Sequence, residues 1–317
     1  MRLPRLKCPG QPMAYHCISR LAEGVDFLSD HEKEHLVNLM WRVTDFCGLE
    51  VYNYNVLGNH YHMLLFVPEK QDVNNWELLR RYERLHGKNG GQARVIRRAF
   101  EQGGGQAQYW REKLLGWMGD ISEHQRRLKE YFSKWYNRQH QRKGTLWGER
   151  FKSPVVELTP EVLGEVGCYI ELNAARAGIV EDPADYRFCS YHAALAGDQR
   201  CLRGLQAVTG ESSAKGALAK MRLLMGWEGV KDRGKGKRLL DALVCRKLLK
   251  NGGELPFGAR VYWKNRYLVD SVVLGSREYV ERMGRELGRW EESQQLKGFQ
   301  GSMRCLLKLR RSVYGFE

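Results

Sequence analysis

The sequence predicts an α+β fold in which helices pack against an antiparallel sheet, and three observations carry that expectation. Alternating residues at 14–20 and within 49–69 read as strands, and the second stretch doubles back at Gly58-Asn59, a turn-prone pair. Helical spacing of apolar residues begins at recognisable start signals, a capping box at Ser29 and Glu32 and a Thr159-Pro160 pair. The order along the chain is strand, helix, strand, strand, helix, strand, helix, which suits helices laid on an antiparallel sheet.

Each element has its own justification. AYHCISR (14–20) alternates and forms the first strand. After the Ser29 cap, Leu36, Leu39, Met40 and Val43 recur at helical spacing, and Gly48 stands where a C-cap belongs. LEVYNYNVLGNHYHMLLFVPE (49–69) reads as two antiparallel strands, the second ended by Pro68. Residues 70–117 are Gly-rich, basic and weakly periodic, and are expected to be a mobile insertion. Helical spacing returns with Ile121, Leu128, Phe132, Trp135 and Tyr136, and Gly144 breaks it. LWGERFKSPVVEL (146–158) has room for another strand. Thr159 then caps a helix whose core face is marked by Val162, Val166, Ile170 and Ala177, with Gly178 at its end. Residues 1–195 are thus read as one domain, 196–235 as a linker with a helical piece (214–226), and 236–317 as a basic, mostly helical C-terminal region. No internal repeat is present.

Composition narrows the function. Apolar residues make up 43% and charged residues 28% of 317, an ordinary balance for a chain that buries a core. No apolar run approaches the roughly 18 residues of a membrane span. The basic start, MRLPRLKCPGQP, has no apolar stretch behind it, so neither export nor membrane insertion is expected. The eight cysteines are scattered without a CxxC, which fits reduced, buried thiols better than a zinc knuckle or a disulfide framework. No GxxxxGK[ST] loop is present. The net charge of +15 suits a polyanionic partner, nucleic acid being the usual one. The excess is uneven: residues 231–317 hold 20 Lys/Arg against 10 Asp/Glu, so non-specific attraction to phosphates should concentrate there.

Three motifs carry possible chemistry. On a strand, His60 and His62 of His60-Tyr61-His62 project from the same face, a natural half-site for a divalent metal, although an HxH pair alone also occurs as a structural feature. Tyr169 and Asn173 lie four apart on a helix and share a face. A tyrosine there is either a core residue or a covalent nucleophile, with the asparagine oxygen able to complete a metal site. Cys168 has no activating base nearby in sequence and is read as a buried thiol. The third motif is WYNRQHQRKGTLWGERFKS (135–153), whose Arg138, Arg142, Lys143, Arg150 and Lys152 suit phosphates and whose Trp147 either stacks on an unpaired base or sits in the core.

Taken in order, GNHYHMLLFVP, YNRQHQRKGTLWGERFKS and CYIELNAARAGIV resemble the single-tyrosine HUH transposases, and within them the REP-associated tyrosine transposases. AYHCISR resembles that family's first strand and DYRFCSY (185–191) its closing motif, so the resemblance covers residues 13 to about 195. It implies a ferredoxin-like HUH nuclease fold. It implies metal-dependent cleavage and strand transfer of single-stranded DNA bearing a hairpin, through a 5′-phosphotyrosine. Tyr169 would be the nucleophile, His60, His62 and Asn173 the ligands of Mg²⁺ or Mn²⁺, and Arg176 part of the DNA-binding set. The partner would be hairpin DNA, with no membrane and no nucleotide cofactor, in a monomer or a homodimer working in the cytoplasm beside the nucleoid. Two departures stand out: Ala174 replaces the family's usual proline, and the 70–117 segment is longer than in compact members.

Other functions fit parts of the sequence. A catalytically silent, domesticated hairpin binder needs the fold and the charge but not Tyr169. An RNA-binding module leaves His60, His62 and Tyr169 unexplained. A metal-dependent hydrolase lacks an evident carboxylate beside the histidine pair.

Overall fold

The structure, a computed structural model, describes residues 7, 10–25, 27–69, 72–225, 268–269, 271–286, 288, 290, 296–298 and 304–307. The α+β class holds. Strand β1 (Met13–Arg20) leads to helix α1 (Asp30–Cys47), then to strands β2 (Glu50–Val56) and β3 (His60–Val67). Both halves of the Ser29/Glu32 capping box are made, and Gly48 closes α1 at φ 64°, a left-handed conformation that favours glycine. β1 and β2 flank β3 in antiparallel register, with Ile18 opposite His62, Arg20 opposite His60 and Asn55 opposite His62.

This register sorts side chains by face. Tyr15, Cys17, Tyr61, Met63 and Leu65 fall on one face and are buried. Helices α1 and α5 (Ile121–Gln139) cover it: Trp41 meets Tyr54 edge-on at 5.9 Å, and the Tyr61 hydroxyl donates to Gln125 Oε1 at 2.6 Å. His16, Ile18, Arg20, His60, His62, Asn53 and Asn55 occupy the other face, which is much more polar. Helix α6 (Pro160–Glu171) is tied there by two amides: Asn55 donates to the Ile170 carbonyl at 3.0 Å, and Asn53 to Glu171 Oε1 at 2.6 Å.

Several expectations are corrected. Residues 70–117 are not a mobile insertion in their described part but three short helices, α2 (Asn75–His86), α3 (Gly91–Gln102) and α4 (Gly104–Leu115). They bury Leu78, Tyr82, Ile96, Phe100, Trp110 and Leu114 in the main core. The glycines that read as a loop are their boundaries: Gly87, Gly90, Gly103 and Gly116 all stand at caps. In 146–158 only β4 (Val155–Val156) is a strand, pairing with Ala14 and Tyr15 of β1. The tyrosine helix ends at Glu171, before Gly178, and a one-turn helix, α7 (Asn173–Arg176), follows, so Ala177 is exposed while Ala174 and Ala175 are buried. After α8 (Ser190–Leu195), the expected linker holds α9 (Gln199–Thr209) and α10 (Ala214–Met225), which bury Leu205, Val208, Ala217 and Met221 in the core. Packing, not a linker, therefore governs this stretch as far as residue 225.

The C-terminal region, expected to be mostly helical, holds strands as well as a helix among its described residues, and the rest of it lies outside them. It supplies β5 (Ser271–Gly275), α11 (Arg277–Glu286), β6 (Lys297–Gly298) and β7 (Arg304–Leu307). β5 pairs in parallel with β4, extending one sheet to the order β2-β3-β1-β4-β5-β7-β6. The residues between 226 and 267 fall outside the described part, as do most of the basic side chains beyond 225. Among the described residues no helix is long and apolar enough to cross a membrane. Cys17, Cys47, Cys168, Cys189, Cys201 and Cys305 are free, buried thiols, as expected.

Candidate active site

The polar face of the sheet gathers the residues that the sequence singles out. Thr159 Oγ1 and Pro160 set the start of α6. Its Gly167 allows close approach to β2, because a Cβ there would lie 2.8 Å from both Asn53 Oδ1 and Val208 Cγ1. Two residues later Tyr169 is delivered against the histidine strand, its ring edge-on to His62 at 5.5 Å and to His16 at 5.6 Å. Arg176 lies over the tyrosine ring, its guanidinium carbon 4.8 Å from the ring centre. Tyr169 is 4% exposed. His60, half-buried, stands 5.1 Å from His62 between ring centres. Tyr169, His62 and His60 are thus linked by ring contacts within one chain, and Asn173 on the following turn bonds to the Tyr169 carbonyl.

The hydrogen bonds settle which ring nitrogens carry protons. His60 Nδ1 lies 2.6 Å from Asn59 Oδ1, which accepts, so His60 carries its proton on Nδ1. His62 Nδ1 lies 2.9 Å from His16 Nε2. Burial and the nearby positive groups Arg20 and Arg176 keep these imidazoles neutral: His60 is pushed down to about 4, and His62 well below its ordinary value by burial and then by its histidine and arginine neighbours. His16, fully buried, is lowered by burial to about 4. Asn173 donates its amide N–H to the Tyr169 carbonyl at 2.8 Å.

The donor set fits a divalent ion in kind. Neutral imidazoles suit a divalent transition ion such as Mn²⁺ better than Mg²⁺, a hard cation that prefers oxygen donors such as the amide carbonyl. Among the described residues no group of three His, Cys, Asp or Glu side chains is placed to hold an ion. The residues that would hold an ion here are His60 and His62, with the neutral oxygen of Asn173 as the further candidate donor.

Two site residues were not singled out from sequence. His16 is completely buried beside His62, and Arg20 is an exposed cation opposite His60. The available signal was periodicity, since residues 16, 18 and 20 of AYHCISR must share a face. What the sequence left open was which face, because that depends on pairing with a strand more than 40 residues away.

The basic-aromatic stretch divides. Lys152 pairs with Ile18 through both backbone bonds, at 2.8 and 2.9 Å, and so shares the face of His62. Arg138, Lys143 and Arg150 are exposed, and half-buried Arg142 reaches the Thr145 carbonyl at 3.4 Å. Trp147 is not a stacking platform. It is 6% exposed, its ring meets Tyr61 edge-on at 5.5 Å, and its N–H donates to the Lys129 carbonyl at 3.1 Å. The apolar ring is worth more in the core once its single donor has a partner there. Cys168 is likewise no nucleophile: burial holds its thiol far above the ordinary range, beside the Leu224 carbonyl.

No model of a protein family matches the chain. No curated protein matches it. Among solved structures the chain is similar to a REP-associated tyrosine transposase bound to a REP hairpin, with TM-score 0.41 and 16% identity, covering 62% of this chain and 86% of that one.

Proposed function

We propose that this protein cuts and rejoins single-stranded DNA beside a hairpin, with Tyr169 as the nucleophile. The observation that carries this reading is the packing of the Tyr169 ring against His62, with Arg176 across its face, inside one chain. Tyr169 belongs to the buried core, yet its ring also meets two imidazoles and a guanidinium, which an ordinary core tyrosine has no need of. The motifs shared with single-tyrosine HUH transposases support the same chemistry.

In the proposed step the Tyr169 oxygen attacks a backbone phosphorus. The bond to the 3′ oxygen breaks, leaving a 5′-phosphotyrosine and a free 3′-hydroxyl. The phenol gives up one proton and the leaving oxygen gains one. A later attack by a 3′-hydroxyl on the phosphotyrosine reverses the exchange, so no nucleotide is consumed. A divalent ion held by His60, His62 and Asn173 would supply polarisation of the phosphate. Arg20, Arg176 and Lys152 supply positive charge on the same side, where negative charge builds on the phosphate oxygens. Arg138, Arg142, Lys143 and Arg150, with the basic C-terminal region, would hold the remaining backbone.

Because Tyr169 packs against His62 of its own chain, we propose that it works in cis. The burial of Tyr169 favours a second reading, a hairpin binder that has lost access to its nucleophile. One experiment decides between them. The full-length protein is incubated with labelled hairpin oligonucleotides from the flanks of its own gene, with Mn²⁺ or Mg²⁺, and run on a denaturing gel beside Tyr169→Phe. A metal-dependent covalent band that vanishes in the variant supports cleavage. Equal, tight hairpin binding by both proteins with no band supports the binder.

A further inference from the structure

We infer that His16 is a positioning residue for His62: together with the backbone carbonyl of Leu268, it holds His62 in the tautomer whose proton sits on Nδ1, leaving Nε2 free to bind a divalent cation. Two distances and one chemical fact are enough. His16 Nδ1 lies 3.1 Å from the Leu268 carbonyl oxygen, and a carbonyl only accepts, so this nitrogen carries the ring's proton. His16 Nε2 is then an acceptor. Its partner at 2.9 Å, His62 Nδ1, must donate. The direction of the chain is thus fixed from the carbonyl end, and His62 Nε2 is its open terminus.

The surroundings make the arrangement hold. His16 is 0% and His62 2% exposed, so water does not compete for either bond. The rings stack with centres 5.2 Å apart and planes 26° from parallel, which limits rotation. Partners that fix the tautomer of a ligating imidazole in this way typically change metal affinity about 10- to 100-fold when removed. The carbonyl comes from beyond residue 225, in the part that joins the sheet through β5. That part therefore contributes to the order of the site as well as to the charge of the molecule. The value of the fixed tautomer rests on the proposed function; the tautomer itself does not.

The test uses the full-length protein labelled with ¹⁵N at histidine, first without metal. Long-range proton–nitrogen correlation is expected to show both His16 and His62 protonated on Nδ1, with unprotonated Nε2. Finding His62 protonated on Nε2 overturns the inference whether or not the protein binds metal. Mn²⁺ titration followed by the free ion's paramagnetic resonance gives the second readout. His16→Leu is expected to weaken Mn²⁺ binding about 10- to 100-fold. His16→Gln, whose side-chain oxygen can accept the same proton, is expected to stay within a few-fold of wild type. Wild-type affinity in a folded His16→Leu overturns the inference. If the wild-type protein binds no Mn²⁺, the metal part of the proposed function fails, while the spectrum still decides the role of His16. The spectrum needs no variant, so a His16→Leu that fails to fold leaves the inference falsifiable.

Discussion

Tyr169 contributes a ring and a hydroxyl, and the two are separable. The ring meets His16, His62 and Arg176 from three sides. Phenylalanine keeps all three contacts, so Tyr169→Phe should change stability by no more than about 1 kcal/mol, the worth of one hydrogen bond. It should also bind hairpin DNA as wild type does while forming no covalent product. Melting curves and the denaturing gel check the two halves independently. A second residue-scale prediction concerns acid. His124, fully buried against the Thr44 hydroxyl at 2.9 Å, is pushed down to about 3 by burial. That value lies below the ordinary 6.5, so the unfolded chain binds more protons than the folded one once the pH drops below 6.5. Stability present above that pH is lost as the solution is acidified toward 4, at about 1.4 kcal/mol per unit for each fully buried imidazole. Buried Glu171, whose value is raised by burial, works in the opposite sense and offsets part of this loss. The urea midpoint should fall between pH 7.5 and 5.0, and His124→Gln should remove part of the fall. A midpoint independent of pH would mean that His124 is open to solvent.

Two helices sit against β2 so closely that only glycine fits, and these contacts set where the tyrosine stands. A Cβ on Gly204 would overlap the backbone carbonyl of Tyr52, which cannot give way, so Gly204→Ala should cost about 1–3 kcal/mol by pushing α9 off the sheet. At Gly167 the obstacles are side chains, Asn53 and Val208, so the expected response is a shift of α6. Gly167→Ala should lower covalent product much more than it lowers hairpin affinity, because Tyr169 rides on that helix and the exposed arginines do not. A variant with full cleavage activity would show that the placement of α6 is not critical. Such contacts explain what was legible in the sequence. The caps of α1 and α6 are local, made by Ser29, Glu32, Thr159 and Pro160 within one turn, and they were readable. So was the β2–β3 hairpin, where the turn residues and the alternation agree. The helices of 75–115 were not, because glycines end short helices as readily as they make loops, and only tertiary burial of Tyr82, Ile96 and Leu114 tells the two apart. Trp147 was undecided for the same reason: its stretch is basic, and its partners Tyr61 and Lys129 are distant or on another element.

At the scale of the molecule, one sheet carries both ends of the chain. β1 and β3 hold the site, β4 bridges, and β5 to β7 extend the sheet with residues from beyond 270. Removing the C-terminal region would therefore strip β5 from β4 and take the Leu268 carbonyl from His16, so truncation cannot isolate its effect on DNA. Charge substitution can. Lys231, Arg233, Lys235, Lys237 and Arg238 form a dense basic run. Each phosphate contact contributes roughly 0.7 to 0.9 to the slope of log affinity against log salt. Changing all five to Gln should make the slope shallower by as much as about 4, with the largest loss of hairpin affinity at low salt and little at high salt. An unchanged slope would place the phosphate contacts elsewhere, with Arg138, Lys143 and Arg150 the first alternatives. The same unity of the molecule bears on how many chains act together. Tyr169 packs against His62 within one chain, with α6 bonded to β2 through Asn53 and Asn55. If the tyrosine helix instead completed a partner's site, mixing His62→Ala with Tyr169→Phe would rebuild one competent site per mixed dimer. Each variant alone would be silent and the mixture would form covalent product. With the tyrosine in cis, each protein lacks something the other cannot lend, and the mixture should be as silent as its parts. Covalent product from the mixture would mean that α6 can leave its own sheet, at the cost of both amide bonds to β2.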